Sequence, residues 1–428
     1  MPTPAPHKQP HQTQWEKVKL GDIVTTKTKT INIGKTDFIN YLETADITNN
    51  IILGIQHLIV GKNKIPSRAK QIVEKDMILY SCVRPILKHY GIIKNPLKNM
   101  VCSTGFAALS VKNAKTHNID FLYYNITQDK YTKALHTIAS TSTSSYPSIA
   151  PNDLLGMTLA LPPLRIQKNI AQILSTLDKK IELNTRINTE LESMAKLLYT
   201  RYFVEFNFPD SSGKPYKASG GAMVYSPTLK REIPQDWEVA KIGDLCSIQS
   251  GFAFSTKDFS SQGIYKLITI KNVKDGFISI DTDNKILMLP TKLPTFCRLK
   301  KGDILLSLTG NVGRVGMVWD TDLLLNQRVG IIQEKEANKS FLYCLFRSEI
   351  MKTTLENLAS GTSQHNLSPI LTEKLWTLKP KKEILNKFHN EVSTILESIL
   401  TNQQESQRLA EWRDYLLPLL MGDQAEVV

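Results

Sequence analysis

Trp15-Glu16-Lys17-Val18-Lys19-Leu20-Gly21-Asp22-Ile23 recurs as Trp237-Glu238-Val239-Ala240-Lys241-Ile242-Gly243-Asp244-Leu245. Other stretches repeat at almost the same offset. Glu74-Lys75-Asp76-Met77-Ile78-Leu79-Tyr80-Ser81 is loosely matched by Lys300-Lys301-Gly302-Asp303-Ile304-Leu305-Leu306-Ser307. Ser144-Ser145 through Pro151 matches Thr362-Ser363 through Pro369. Self-similarity at a fixed period marks a repeat architecture, so the chain reads as two copies of a unit of roughly 220 residues. The copies have diverged strongly, which predicts two similar scaffolds with different surfaces.

Each copy ends in the same periodic pattern. Seven-residue spacing picks out Ile170, Leu177, Asn184, Leu191 and Leu198, and a second seam picks out Leu174, Ile181, Asn188, Ala195 and Tyr202. Their counterparts are Phe388, Ile395, Asn402, Leu409 and Leu416, and Val392, Ile399, Ser406, Arg413 and Leu420. These are a and d positions of a coiled-coil-type helix. Pro162-Pro163 and Pro380 stand where such helices begin. About forty residues at 1.5 Å rise predict two helices about 60 Å long. The matched Asn184 and Asn402 are expected to fix the register of the pair. Chain order requires the second helix to run back antiparallel to the first. That would put the globular parts at opposite ends, related by a pseudo-two-fold.

The predicted organisation is a tail at 1–14, a globular domain at 15–163, a helix at 164–208 and a connector at 209–236. A second globular domain at 237–380, a helix at 381–421 and a tail at 422–428 follow. The connector carries Pro209, Gly213, Pro215, Gly220, Gly221 and Pro227, which is loop chemistry. The globular parts alternate β-branched runs with turn signals, as in Ile264–Ile270, Lys274-Asp275-Gly276 and Phe277–Ile280, and Phe341–Leu358 reads as a helix. The fold class is therefore α+β.

At 428 residues and 41% hydrophobic the chain can build several cores, which excludes global disorder. The net charge is +13. Counted by region it is +9 over 1–160, +2 over 161–208, +5 over 209–380 and −3 over 381–428. The globular parts thus carry all the excess, which predicts duplex DNA as their partner. No apolar run is long enough to span a bilayer, and the Pro/His/Gln-rich start does not read as a signal peptide. Five scattered cysteines without a CxxC predict reduced thiols, a cytoplasmic setting and no metal site.

No catalytic constellation is legible. Gly34-Lys35-Thr36 lacks the upstream glycine of a phosphate loop, since Lys29 stands there. Gly310-Asn311-Val312-Gly313-Arg314-Val315-Gly316 lies between apolar strands and reads as a hairpin loop. Two basic domains, two long helices and no visible chemistry point to a binding subunit.

Over nearly its whole length the chain resembles the specificity subunit of type I restriction-modification systems. In the first domain the resemblance rests on Tyr41-Leu42-Glu43-Thr44, Pro66-Ser67-Arg68-Ala69-Lys70, Val83-Arg84-Pro85 and Ser103-Thr104-Gly105-Phe106. In the second it rests on Gly251-Phe252-Ala253-Phe254, Lys271-Asn272-Val273, Gly310–Gly316 and Gly361-Thr362-Ser363-Gln364. The stretches Leu161–Phe203 and Phe208–Tyr216 resemble that family's spacer helix and connector. The resemblance implies two target recognition domains, each reading half of an interrupted, asymmetric DNA sequence. It implies methyltransferase subunits, two of them, using S-adenosylmethionine, and a restriction and motor subunit using ATP, with no cofactor in this chain. A methyltransferase-only or fused restriction system is an alternative setting, and a coiled-coil scaffold without DNA would leave the basic domains unexplained.

Reading base edges needs fork-shaped or bidentate donors, while lysines and hydroxyls mostly position on phosphate. The candidates in the first domain are Lys64, Arg68, Arg84, Lys88, His89, Ser144, Ser145 and Tyr146. In the second they are Lys271, Asn272, Thr309, Asn311, Arg314, Gln327, Arg328, Ser363, Gln364 and His365.

Overall fold

The computed structural model describes residues 15–26, 29–141, 147–359 and 365–422. It divides into two compact units, Met1–Lys180 with Leu409–Val428, and Ile181–Arg408.

Unit 1 begins with β1 (Glu16–Lys19), the single turn α1 (Leu20–Ile23) and β2 (Val24–Thr25). There follow β3 (Phe38–Leu42), the short hairpin β4 (Ile47–Thr48) and β5 (Ile51–Ile52), then β6 (Gln56–Ile59), β7 (Ala69–Ile72), β8 (Met77–Ser81), β9 (Tyr90–Ile93), β10 (Met100–Ser103) and β11 (Phe106–Val111). Helices α2 (Ile119–Ile126), α3 (Asp129–Ser140) and α4 (Pro151–Leu155) precede β12 (Thr158–Leu161), which feeds the long helix α5 (Leu164–Tyr199). The strands form two four-stranded sheets, β2-β11-β8-β9 and β6-β3-β10-β7, and β1 pairs with β12.

The second copy repeats this order. A hairpin, β13 (Met223–Ser226) and β14 (Arg231–Pro234), comes first, inside the stretch that sequence reading assigned to loop. Then come β15 (Glu238–Lys241), α6 (Ile242–Leu245), β16 (Cys246–Ser250), β17 (Tyr265–Ile268), β18 (Val273–Lys274), β19 (Phe277–Ile278) and β20 (Lys285–Ile286). They are followed by β21 (Ile304–Ser307), β22 (Val315–Met317), β23 (Leu323–Leu325), β24 (Val329–Glu334), α7 (Lys339–Phe346), α8 (Glu349–Ala359), α9 (Pro369–Glu373), β25 (Trp376–Lys379) and α10 (Lys382–Leu420). Its sheets are β16-β24-β21-β22 and β20-β17-β23, with β15 pairing β25. Even the parallel pairing recurs, β3 with β10 and β17 with β23. The helix read over Phe341–Leu358 is two helices. The first ends at Arg347, which leaves the right-handed helical region, and α8 starts afresh at Glu349.

Matched local devices build the matched scaffolds. Asn118 caps α2 by accepting from the Phe121 N–H at 2.8 Å, and Asn338 caps α7 by accepting from Phe341 at 3.0 Å. Gly91 of β9 and Gly316 of β22 lie against the hairpins β4–β5 and β18–β19. A Cβ on Gly91 would collide with Ile47, and one on Gly316 would lie 2.6 Å from Ile278 Cδ1 and 2.9 Å from the Phe277 carbonyl oxygen. Gly316→Val is therefore expected to cost about 2 kcal/mol of stability in unit 2 by overpacking, read as a lower urea midpoint. An unchanged midpoint would mean that the hairpin yields freely.

Each unit also seats turns of the long helices on its own core. In unit 1, Leu416, Leu417, Leu420 and Met421 of the C-terminal segment pack with Phe121, Leu122 and Ile170. In unit 2, Tyr199, Tyr202, Phe203 and Phe388 join Phe341 and Trp237. The polar clamps beside these apolar seats are built differently. In unit 1, Arg413 of α10 donates to Asp178 of α5 at 2.8 Å, and the Tyr124 hydroxyl donates to the same carboxylate at 2.5 Å. In unit 2 the arginine comes from the domain instead: Arg347 pairs with Glu192 of α5, which also accepts from the Tyr343 hydroxyl at 2.6 Å. Burial would disfavour either guanidinium's charge, but these carboxylates more than offset it and hold both arginines firmly protonated.

Within unit 2 the two long helices touch along polar positions. Asn184 is 1% exposed and its amide donates to Glu405 Oε2 at 2.8 Å. Asn402 donates to Asn188 Oδ1 at 2.8 Å, and Asn188 donates to the Ile399 carbonyl at 3.3 Å. Farther along, the Tyr202 hydroxyl donates to Glu391 at 2.5 Å. Partners on α10 fall in number as those on α5 rise, so these segments run antiparallel. The two asparagines matched by sequence do not face each other side chain to side chain. Each has found a different polar partner on the opposing helix.

Candidate DNA interface

In each unit the loops at one end of the two main sheets are stitched together by backbone hydrogen bonds. In unit 1 the Thr104 N–H donates to the Arg68 carbonyl at 3.0 Å, and Cys82 donates to Gly105 at 2.9 Å. Ile149 donates to Cys82 at 2.9 Å, and Arg84 donates to Pro147 at 2.8 Å. Arg68, Arg84 and Thr104 are thereby gathered on one exposed rim. Beside it the buried Tyr41 hydroxyl donates to Glu43 Oε2 at 2.5 Å. Burial and the Glu43 carboxylate push Tyr41 up to about 12. Burial would raise Glu43 as well, but hydrogen bonds from Tyr41, Thr44 and Ser103 outweigh it and keep the carboxyl below its ordinary range.

In unit 2 the matching loops converge in the same way. Gly310 donates to the His365 carbonyl at 3.2 Å, Leu308 donates to Arg328 at 3.1 Å, and Leu367 donates to Leu308 at 2.7 Å. Thr309 bridges Asn366, and Phe252 bridges Asn326. Gly251 permits that last approach, since a Cβ there would run into the Leu325 and Asn326 carbonyls. Exposed Asn311, Gln327, Arg328 and His365 share this rim. The turn carrying exposed Lys271 joins it, with Ile270 beneath Gly310. Arg314 sits half-buried at the base of the loop, exchanging backbone and hydroxyl bonds with Ser307 at 2.9 Å.

Four sequence candidates find other work or another place. Asn272 is buried; its Oδ1 accepts from Thr269, and its amide donates to the Ser279 and Asp281 carbonyls. With its amide spent on closing a turn, it has no free fork for a base, which corrects the expectation. His89 likewise has its Nδ1 between the Ile47 carbonyl and the Thr48 hydroxyl, both at 2.9 Å, where it braces hairpin β4–β5. Lys88 is ion-paired with Asp129 at 2.8 Å. Lys64 is exposed on the loop after β6, and among the described residues no backbone bond ties it to the rim. Ser144, Ser145, Tyr146, Ser363 and Gln364 lie outside the described residues. Thr104 and Asn326 were missed by sequence reading; only their place between paired strands marks them. Among the described residues no group of three or more metal-ligating side chains occurs. No helix among them is long and apolar enough to cross a membrane.

The family described as type I restriction modification DNA specificity domain matches residues 12–193 and again 234–375. The chain belongs to that family. The type I restriction enzyme HindI specificity subunit of Haemophilus influenzae is 26% identical over 457 residues, covering 95% of this chain and 99% of that one. The MjaIX specificity subunit of Methanocaldococcus jannaschii is 27% identical over 365 residues, covering 83% and 79%. The S subunit structure from M. genitalium superposes with a TM-score of 0.57 at 14% identity, covering 97% and 99%, and shows the shared fold. The double match falls on the two scaffolds that the topology repeats. As a DNA specificity subunit the chain recognises its target and leaves the chemistry to others.

Proposed function

We propose that each unit's loop rim reads one half of a bipartite, interrupted DNA target, and that the long helices, paired as an antiparallel coiled coil, fix the gap between the halves. The observation that carries this reading is one scaffold built twice with different rims. Unit 1 presents Arg68, Arg84 and Thr104 where unit 2 presents Asn311, Gln327, Arg328 and His365, with half-buried Arg314 at the base of the same loop. A scaffold repeated for stability alone would have no use for two different sets of base-reading donors. The wider subunit supplies the rest of the reading. Two methyltransferase subunits carrying S-adenosylmethionine dock on the outer helical faces and the Leu416–Met421 segment, and a restriction subunit that uses ATP completes the complex in the cytoplasm.

The test is genome-wide adenine-methylation mapping in the host, with the gene intact, deleted, and carrying Arg314→Ala. The intact gene should yield a two-part motif that deletion abolishes. Arg314→Ala should relax one position of one half only, by about 1–3 kcal/mol of discrimination. A motif unchanged on both halves removes Arg314 from the reading set. A motif that survives deletion of the gene overturns the function.

A further inference from the structure

On the rim of unit 1, Ile86 and Leu87 are 43% and 45% exposed in a short 3-10 turn, Pro85–Leu87. Two adjacent apolar side chains are thus held outward on a turn that cannot easily fold them back. Pro85 is buried and fixes the first position of the turn. Arg84 (φ 47°, ψ 67°) and Lys88 (φ 54°, ψ 37°) flank it, both in the left-handed region that non-glycine residues rarely adopt. Both ends are pinned. The Arg84 N–H donates to the Pro147 carbonyl at 2.8 Å, and the Lys88 carbonyl accepts from Asn49 at 3.0 Å. Inside the turn Leu87 donates to Arg84 and Lys88 to Pro85, each at 2.9 Å.

We propose that Arg84-Pro85-Ile86-Leu87-Lys88 is an apolar wedge, which enters a base step of duplex DNA within or beside the half-site that unit 1 reads. The proposal rests on the reading of unit 1 as a DNA-binding domain and adds the way it deforms its target. Aliphatic wedges that unstack a base step work when cations beside them hold the phosphates. Here exposed Arg68 on the adjoining loop supplies such a cation, while Lys88 at the end of the turn is held by Asp129. The +9 charge of residues 1–160 favours a polyanion over a protein partner on this surface. Unit 2 is built differently at this place. Its corresponding loop joins β21 to β22 through Gly310 and Gly313, with Val312 turned inward at 9% exposure. The two halves of the target should then be deformed unequally, with the kink at the half read by unit 1.

The experiment uses the full chain co-expressed with its methyltransferase subunit, on duplexes of the mapped target carrying 2-aminopurine at successive positions. Unstacking raises the fluorescence of this base. The wild-type complex should show a severalfold rise at one step in or next to one half-site. The double variant Ile86→Ser/Leu87→Ser should lose that rise and bind the target about tenfold more weakly. Both side chains are exposed, so an unchanged melting curve is expected and serves as the folding control. Sequence-specific binding by the wild-type complex with no rise at any position overturns the wedge and leaves the DNA-reading function standing. A variant that keeps the rise but loses the methyltransferase subunit also overturns it, and assigns the turn to a protein contact. A wild-type complex that binds no DNA sinks the underlying reading itself.

Discussion

Phe203→Ala is expected to destabilise unit 2 by about 4 kcal/mol, the range for truncating a fully buried aromatic ring. Phe203 is 1% exposed at the end of the long helix. Its ring centroid lies 4.8 Å from Phe341, 4.9 Å from Phe388 and 5.3 Å from Tyr199, with Trp237 at 5.9 Å. Phe341 belongs to the domain, Phe388 to the second helix, and Trp237 to the opening of the second repeat. One ring therefore joins the segments that give unit 2 its shape. Collapse around the void is hindered because the neighbours are themselves rigid aromatic rings. The measurement is urea unfolding followed by tryptophan emission, to which Trp237 reports directly. The repeat supplies an internal comparison. Position 421, matched to 203, is a methionine, 4% exposed in the core of unit 1. Met421→Ala should act on unit 1, by about 2–3 kcal/mol. A loss under about 1 kcal/mol for Phe203→Ala would mean that the helix is not anchored by this cluster.

The duplication and the helices were legible in the sequence because both are written in backbone-determining residues at fixed periods. Trp15 and Trp237 open matched strand–turn–strand entries, and the seam from Ile170 to Leu198 repeats every seven residues. What the sequence did not disclose depends on partners distant along the chain. Asn272 and His89 are residue types that read bases. Whether their donors are free depends on the Ser279 carbonyl in one case and on Thr48 in the other. The exchange of clamps was equally hidden. Arg347 and Arg413 are unmatched in the repeat, yet each meets a tyrosine–carboxylate pair, because the geometry demands a cation there and is indifferent to which element brings it. The helix break at Arg347 follows from the same demand, since its side chain turns back over the Tyr343 ring at 4.9 Å to reach Glu192. The rims were legible in part. Sequence reading pointed to loops after strands, and Arg68, Arg328 and His365 lie on such loops, but which loops converge is decided by strand order.

If the long helices set the gap between half-sites, lengthening them should lengthen the gap. Helix α5 runs unbroken from Leu164 to Tyr199, and Asn188 and Tyr202 meet Ile399 and Glu391 of α10. Four residues inserted after Glu190, with four more after Glu397 so that pairing on either side is kept, add about 6 Å at 1.5 Å per residue. That length corresponds to about two base pairs at 3.4 Å each. The four residues also turn the helix by about 40° beyond a full revolution, which the pair can share as a small change in supercoil. Methylation mapping of the double insertion should therefore return the two original half-sites with a gap about two base pairs longer and few sites at the old spacing. An insertion in α5 alone should do worse. It shifts Asn184 away from Glu405, and a buried amide without its partner costs about 1–3 kcal/mol. The discriminating result is the gap, because each rim is left intact and loss of both half-sites would report only a damaged fold. Retention of the original gap by a double insertion that still methylates would show that something other than these helices measures the distance.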